Sequence, residues 1–270
     1  EKYDIVIATS PSPFNFISAH SLSKYYRAKY ILDIRDIWPD VFIQTGVATK
    51  SSLSYRVFNI ISNWAYKRAD GILTVSPRKV ELLKKKSKVD SNKLYLVSNG
   101  FDVDFLEQEV DVDFSSEFMS NKGDINILYF GNIGIAQDLK PMVKSLKELK
   151  HKNIVFHVLG DGNKLQELKE FAEEINFNNI VYYGKRRGSA VYTALKHADI
   201  SYVSLGSDLL IDSIPTKLYE AIAMGVPVLL TASGDSADLV NASQIGVTLP
   251  VSEIDDLPKI IELMIDNLDE

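Results

Sequence analysis

Ile214-Pro215-Thr216-Lys217-Leu218-Tyr219-Glu220-Ala221-Ile222-Ala223-Met224-Gly225-Val226-Pro227-Val228-Leu229-Leu230 reads as a short helix opened by a proline, closed by a glycine and followed at once by a buried strand. Pro215 suits the first helical turn, where an amide hydrogen has no partner to lose. Gly225 suits the left-handed residue that ends a helix. Leu218, Ala221 and Ile222 can then face a sheet, leaving Lys217 and Glu220 near the helix start. An ammonium and a carboxylate there suit a ligand that carries phosphates and hydroxyls. The same residues also fit a surface helix with an i,i+3 charge pair.

Working outward, the helix-then-strand pattern repeats. Strands are expected at Ile125–Phe130, Ile154–Leu159, Val181–Tyr183, Ile200–Val203, Val226–Leu230 and Gly246–Leu249, with helices at Asp138–Leu149 and Lys164–Ile175 among the intervening segments. The first hundred residues follow the same scheme. Strands are expected at Tyr3–Ala8, Tyr30–Ile34, Gly71–Val75 and Leu94–Val97, with helices around Phe14–Tyr26, Leu53–Arg68 and Pro77–Lys86. Such alternation implies α/β architecture with parallel sheets, and ligands bound beyond the carboxyl ends of the strands. The more polar stretch from Phe101 to Asp124 separates the two series, which places the domains at 1–102 and 103–270.

The chain has 270 residues, 46% hydrophobic and 24% charged, which is ordinary for a globular protein. It has no cysteine, hence no disulfide framework, thiol nucleophile or cysteine-held zinc. The four histidines, His20, His151, His157 and His197, show no ligand spacing. No apolar run approaches the roughly 18 residues of a membrane span, and no signal-peptide pattern opens the chain. Charge is uneven. Residues 1–102 hold 16 Lys and Arg against 9 acids, a net of +7, and residues 103–270 hold 14 against 27, a net of −13. The basic excess is densest from Arg78 to Lys93. It suits an anionic membrane surface or a lipid-diphosphate acceptor, or equally a solvated helix face.

The Ile214–Leu230 segment resembles the nucleotide-sugar site of retaining family-4 glycosyltransferases of the GT-B fold. Their pattern is an acid, seven residues, a glutamate, a small-residue helix and Gly-x-Pro-Val. Here Asp212 and Glu220 take the two acidic places, with Asp where the family usually has Glu. The resemblance implies two Rossmann-like domains facing a cleft. It also implies that Glu220 binds the nucleotide ribose and Asp212 contacts the donor sugar. It starts partway into the first domain, whose opening strands and glycine-rich loop have no counterpart here. The usual closing helix after Asp266-Asn267-Leu268 also has none, so the first domain is expected to be incomplete.

Gly131-Asn132-Ile133-Gly134-Ile135-Ala136-Gln137-Asp138 follows a strand and opens a helix, so backbone amides can approach a phosphate. It resembles the family loop in which an Arg and, five residues later, a Lys hold the leaving diphosphate. Asn132 and Gln137 stand in those places. The wording is similar to the O-antigen and capsule branch, with N-acetylfucosaminyl transferases as relatives. Diphosphate charge must then be met elsewhere, by Lys217, Arg186, Arg187 or backbone amides such as those beside Gly134, while Gly131 and Thr216 are also expected to contact the donor. Gly184-Lys185-Arg186-Arg187-Gly188 precedes Ser189 as a helix cap, and the family borders the nucleobase there with Lys185 and Arg186. A solvated loop is the plainer reading.

Asp33-Ile34-Arg35-Asp36-Ile37-Trp38-Pro39-Asp40 follows another strand. Arg35 takes the place of the family's His and Asp36 that of its Asp. Arginine cannot act as a base near neutral pH, so Arg35 is expected to hold an anion and Asp36 to contact the acceptor hydroxyl. Alternatively, Arg35 merely pairs with Asp33 or Asp36. Asn99-Gly100-Phe101-Asp102 resembles the Asn-Gly-x-Asp that closes the family's first domain. Asp102-Val103-Asp104 and Asp111-Val112-Asp113 mimic the Asp-x-Asp of metal-dependent transferases, but the parallel-sheet pattern argues against a metal.

These residues lead to the expectation of a metal-independent retaining glycosyltransferase without a cofactor. It would move a nucleotide-diphosphate sugar, a UDP-sugar first among them, onto a polyprenyl-diphosphate-linked or glycan acceptor. The setting would be cell-surface polysaccharide synthesis in the cytoplasm or at the inner membrane face, without nucleic acid. Catalytic roles fall to Asp36, Asp212 and Lys217. A nucleotide-sugar epimerase or hydrolase of the same fold, or an inactive nucleotide-binding partner subunit, are the alternatives.

Overall fold

Parallel strands joined by helices build two separate sheets. The computed structural model describes residues 2–87, 89–149 and 153–268, so Lys88 of the basic run and His151 lie outside the described residues. The chain divides into two units, Glu1–Asn99 with Leu209–Ile214, and Gly100–Asp208 with Pro215–Glu270. Leu209–Ile214, which the sequence reading placed in the second domain, fall in the first of these units.

In chain order the first unit contains β1 (Ile5–Thr9), α1 (Phe14–Tyr26), β2 (Lys29–Ile34), α2 (Asp40–Gln44), α3 (Leu53–Arg68), β3 (Gly71–Thr74), α4 (Pro77–Ser87) and β4 (Leu94–Leu96). Its sheet has the order β1-β2-β3-β4, all parallel. Phe16, Leu32, Ile34, Ile72 and Leu83 are fully buried between sheet and helices. Ser52 starts α3, its side chain accepting from the Tyr55 amide at 3.3 Å. In the basic α4, Lys84 pairs with Glu81 and Lys86 with Asp40.

The second unit contains α5 (Val112–Ser120), β5 (Ile125–Asn132), α6 (Lys140–Glu148), β6 (Ile154–Asp161), α7 (Leu165–Glu174), β7 (Ile180–Tyr182), α8 (Ser189–His197), β8 (Ile200–Ser204), α9 (Thr216–Ala223), β9 (Val228–Thr231), α10 (Asp235–Ser243), β10 (Gly246–Leu249) and α11 (Leu257–Asp266). Its parallel sheet runs β10-β9-β8-β5-β6-β7. The chain winds outward from β5 through β6 to β7, then returns to start again at β8 on β5's other side. That reversal leaves a crevice beyond the carboxyl ends of β5 and β8, the usual ligand position in such sheets.

Two local expectations are corrected. The segment read as a polar separator holds α5: Asp111 caps it by accepting from the Phe114 amide at 3.0 Å, and Phe114 and Phe118 are buried. Phe118 stacks on His157 at 4.1 Å, so a packed aromatic layer secures what composition alone made look like a linker. At α8 the cap position belongs to Gly188, at φ +58°, and Ser189 is already helical. The buried His157 is a packing residue, bonded to Tyr183 at 2.8 Å and to Asn126 at 3.0 Å.

Candidate functional site

The segment Ile214–Leu230 becomes α9 and β9. Pro215 stands one place ahead of α9 as its cap, with extended backbone. At the far end Gly225 adopts φ +67°, the Val226 amide donates to Ala221 O at 3.1 Å, and the Gly225 amide to Ile222 O at 3.0 Å. This left-handed closure fixes the angle at which α9 leaves for β9. Leu218 and Ala221 are fully buried and anchor the helix on the sheet, while Ile222 is only half-buried. The first turn of α9 is thereby aimed at the carboxyl end of β5.

A cavity of about 440 Å³ opens there, lined by Gly131, Asn132, Gln137, Thr216, Lys217 and Glu220, with Arg186 and Arg187 at its side. Lys185 lines an adjoining cavity beyond β6, with Asn132, Arg186 and Arg187 again on its wall. Gly134 lines a third, beside Lys140 and Lys164. The structure thus brings together most of the donor-side residues read from the sequence.

Lys217 is the chemical centre of the first cavity. Its Nζ is buried, has no hydrogen-bond partner among the described residues, and stands 3.9 Å from the centroid of the Tyr129 ring. The ring face attracts a cation, but it replaces little of the lost water. Burial pushes the amine down to about 7, against a smaller upward pull from Glu220. Glu220 lies one turn further on, and its carboxyl is raised by burial, with Lys217 opposing the rise. Gly131, at φ +110°, makes room: a Cβ there would sit 3.2 Å from the Lys217 amine. Tyr129 had gone unnoticed in the sequence. It lies under Lys217, and its hydroxyl donates to Asn132 O, holding the loop that borders the cavity. An aromatic residue ahead of a glycine at a strand end is the signal that could have found it.

The two residues standing where the family has cations are occupied with each other, Asn132 Nδ2 donating to Gln137 Oε1 at 3.2 Å. Arg186 pairs with Glu117 at 3.3 Å and lies over the Phe114 ring.

Asp212, Arg35 and Asp36 belong to the first unit. Asp212 is 2% exposed. Its carboxylate accepts from Gln44 Nε2 at 3.0 Å and lies 3.4 Å from Lys79 Nζ, and its carbonyl accepts from Ser76 at 2.7 Å. Lys79, itself 2% exposed, also donates to Arg35 O at 2.7 Å. Arg35 pairs with Asp33 at 3.1 Å and donates to Asn99 at 2.8 Å, so the salt-bridge reading describes it, with Asp33 rather than Asp36. Ser10 Oγ receives the amides of Arg35 and Asp36. Burial raises the Asp36 carboxyl and Asp212 adds to the rise, while Lys79 and Arg35 work against it. The Asp-x-Asp pairs serve local structure: Asp102 accepts from the Asp104 amide, and Asp111 caps α5. Among the described residues no three His, Asp or Glu side chains gather as metal ligands, and no helix is long and apolar enough to cross a membrane.

The chain carrying this site is similar to known glycosyltransferases. Residues 113–270 match the family model described as glycosyl transferases group 1. The chain belongs to that family. Residues 1–105 match a second model, glycosyltransferase family 4. Among curated relatives of this group 1 chain, the "probable glycosyltransferase WbjE" of Pseudomonas aeruginosa is 23% identical over 95% of the chain. The chain spans 65% of that relative's length. Among solved structures, Anabaena HepE in complex with UDP superposes with a TM-score of 0.78 at 14% identity, covering 98% of this chain and 70% of that one. WaaG, a glycosyltransferase involved in lipopolysaccharide biosynthesis, superposes with a TM-score of 0.71 at 14% identity, covering 95% and 73%. The fold of the group 1 chain is the α/β fold of these GT-B glycosyltransferases.

Proposed function

We propose that this chain transfers a sugar from a nucleotide-diphosphate donor to a lipid-linked or glycan acceptor, with retention, in the assembly of a cell-surface polysaccharide. One observation carries the reading: a buried lysine amine with no hydrogen-bond partner among the described residues faces the same cavity as a carboxylate one helical turn away. That pairing suits a diphosphate followed by a ribose. Glu220 accepts two ribose hydroxyls, Lys217 meets the diphosphate, and Lys185 and Arg186 border the base. HepE, whose structure holds UDP, supports a uridine donor, and WaaG supports the polysaccharide setting.

In the reaction the bond between the anomeric carbon and the diphosphate oxygen breaks, and its electron pair leaves with the diphosphate. Lys217 and the amides near Gly131 stabilise that charge, so no metal is required. The acceptor oxygen attacks from the same face, and its proton passes to Asp36, whose carboxyl is raised by burial. Asp212 contacts the sugar in the family pattern, while its carboxylate here holds Lys79 and Gln44. A catalytic role for it therefore requires exchanging those partners. The net positive first hundred residues favour work beside an anionic inner membrane face.

Calorimetric titration with UDP, GDP and ADP, alongside Glu220→Ala, tests the reading. One nucleotide is expected to bind, and to lose at least about tenfold in affinity in the variant. Equal affinity in the variant, or no binding by any of the three, contradicts the donor site. Product analysis with donor alone then separates a transferase from a hydrolase or epimerase.

A further inference from the structure

The diphosphate cavity contains an unusual charge arrangement. The residues standing where the family carries two cations are neutral and bonded to each other. The amine that remains is buried against an aromatic ring, with no acceptor of its own. We propose that Lys217 sits in the empty cavity only partly protonated near neutral pH and takes up a proton as a diphosphate enters, so that the site binds its anion together with a proton. This deepens the donor-site reading and rests on it.

The surroundings of Lys217 support this from each packed element. On α9 itself Glu220 is the charged neighbour, one turn away, and its own carboxyl is raised by burial. From β5 come Tyr129 and Phe130, and burial raises the Tyr129 hydroxyl, which stays protonated and donates to Asn132 O. The turn after β5 contributes the neutral Gln137, and β6 contributes Leu159. The loop after β7 brings Arg186 and Arg187, of which Arg186 is engaged by Glu117. Among the described residues no fixed anion therefore lies against the amine on the sheet side, and the ammonium gains an anionic partner only when phosphate oxygens arrive. With the free amine at about 7, the empty site near neutral pH holds a mixture of both forms. A bound diphosphate raises the amine well above that value. The full charge is thus supplied only when the anion arrives, and the empty state carries an uncompensated buried cation only in part.

The test is calorimetry on the whole chain at pH 8, using whichever of UDP, GDP and ADP binds, in two buffers of different ionisation enthalpy. At this pH the terminal phosphate is already dianionic, since its second ionisation lies near about 6, so the ligand contributes little. Uptake approaching about one proton per nucleotide is expected at pH 8, about half at pH 7, and affinity falls about tenfold per pH unit above 8. Lys217→Arg, which keeps its charge, is expected to bind with uptake near zero. Nucleotide binding without proton uptake by the native chain overturns this inference and leaves the donor site standing. Absence of all nucleotide binding removes both. The two-buffer measurement on the native chain decides the matter even where the arginine variant does not fold.

Discussion

Replacing Lys217 with methionine should make the protein more stable and poorer at binding. The unfolded chain carries this amine at its ordinary 10.5, and the folded chain at about 7. The folded pKa is depressed, so the unfolded state binds more protons between these values. Stability therefore rises with pH through that window, and its penalty is complete below pH 7. At pH 7 the burial penalty is about 4 kcal/mol, and the lost contact with the Tyr129 ring gives back about 1–2 kcal/mol, leaving the variant about 2 kcal/mol more stable. Between pH 7 and 9 the native chain should gain about 2 kcal/mol that the variant does not, so the gap nearly closes. Urea denaturation of both proteins, followed by circular dichroism at pH 7, 8 and 9, measures this gap, and the comparison cancels the titrations that are not coupled to Lys217. Nucleotide affinity should meanwhile fall at least about tenfold, the loss of a charge-assisted hydrogen bond. Parallel stability lines across this pH range, or a variant less stable at pH 7, would refute the account of an uncompensated amine.

The other expectations concern single contacts. Lys79→Met leaves the buried Asp212 carboxylate without its cation and should destabilise the first unit by about 3–5 kcal/mol. Fluorescence of Trp38 and Trp64 in urea reads this, and adding Asp212→Leu should recover most of the loss. Gly131→Ala should weaken nucleotide binding more than about tenfold, because a Cβ at φ +110° is strained and meets the Lys217 amine. His157 is lowered to about 4 by burial, so its contribution is intact above pH 6.5 and is lost as pH falls toward 4. Acid unfolding of His157→Gln should show a shallower pH dependence over that interval, by about 3 kcal/mol.

The alternation of apolar runs with helix-length segments made both parallel sheets legible, because a strand buried on both faces has to be apolar along its length. The donor-side residues were legible for a related reason. Pro215 and Gly225 delimit α9, so Lys217 and Glu220 had to fall in its first two turns. Asp212 was not legible, since its eight-residue spacing from Glu220 says nothing of which body the intervening loop packs on. Its partners Gln44, Ser76 and Lys79 are more than a hundred residues away in the chain. Helix α5 escaped because only Phe114 and Phe118 carry its buried face, among serines and acids that imitate a linker. Arg35 could be read either way until Asp33 and Asn99 were seen to occupy its guanidinium. The contact between Tyr129 and Lys217 joins a strand to a helix far along the chain, beyond the reach of any periodicity.

The central claim is that the first turn of α9 and the end of β5 hold a nucleoside diphosphate. A crystal structure of the chain with the nucleotide that binds tests it most directly. The account predicts both ribose hydroxyls on the Glu220 carboxylate and a phosphate oxygen within hydrogen-bond distance of Lys217 Nζ. A nucleotide seated elsewhere, with the Lys217 amine still resting on Tyr129 without a partner, would contradict it.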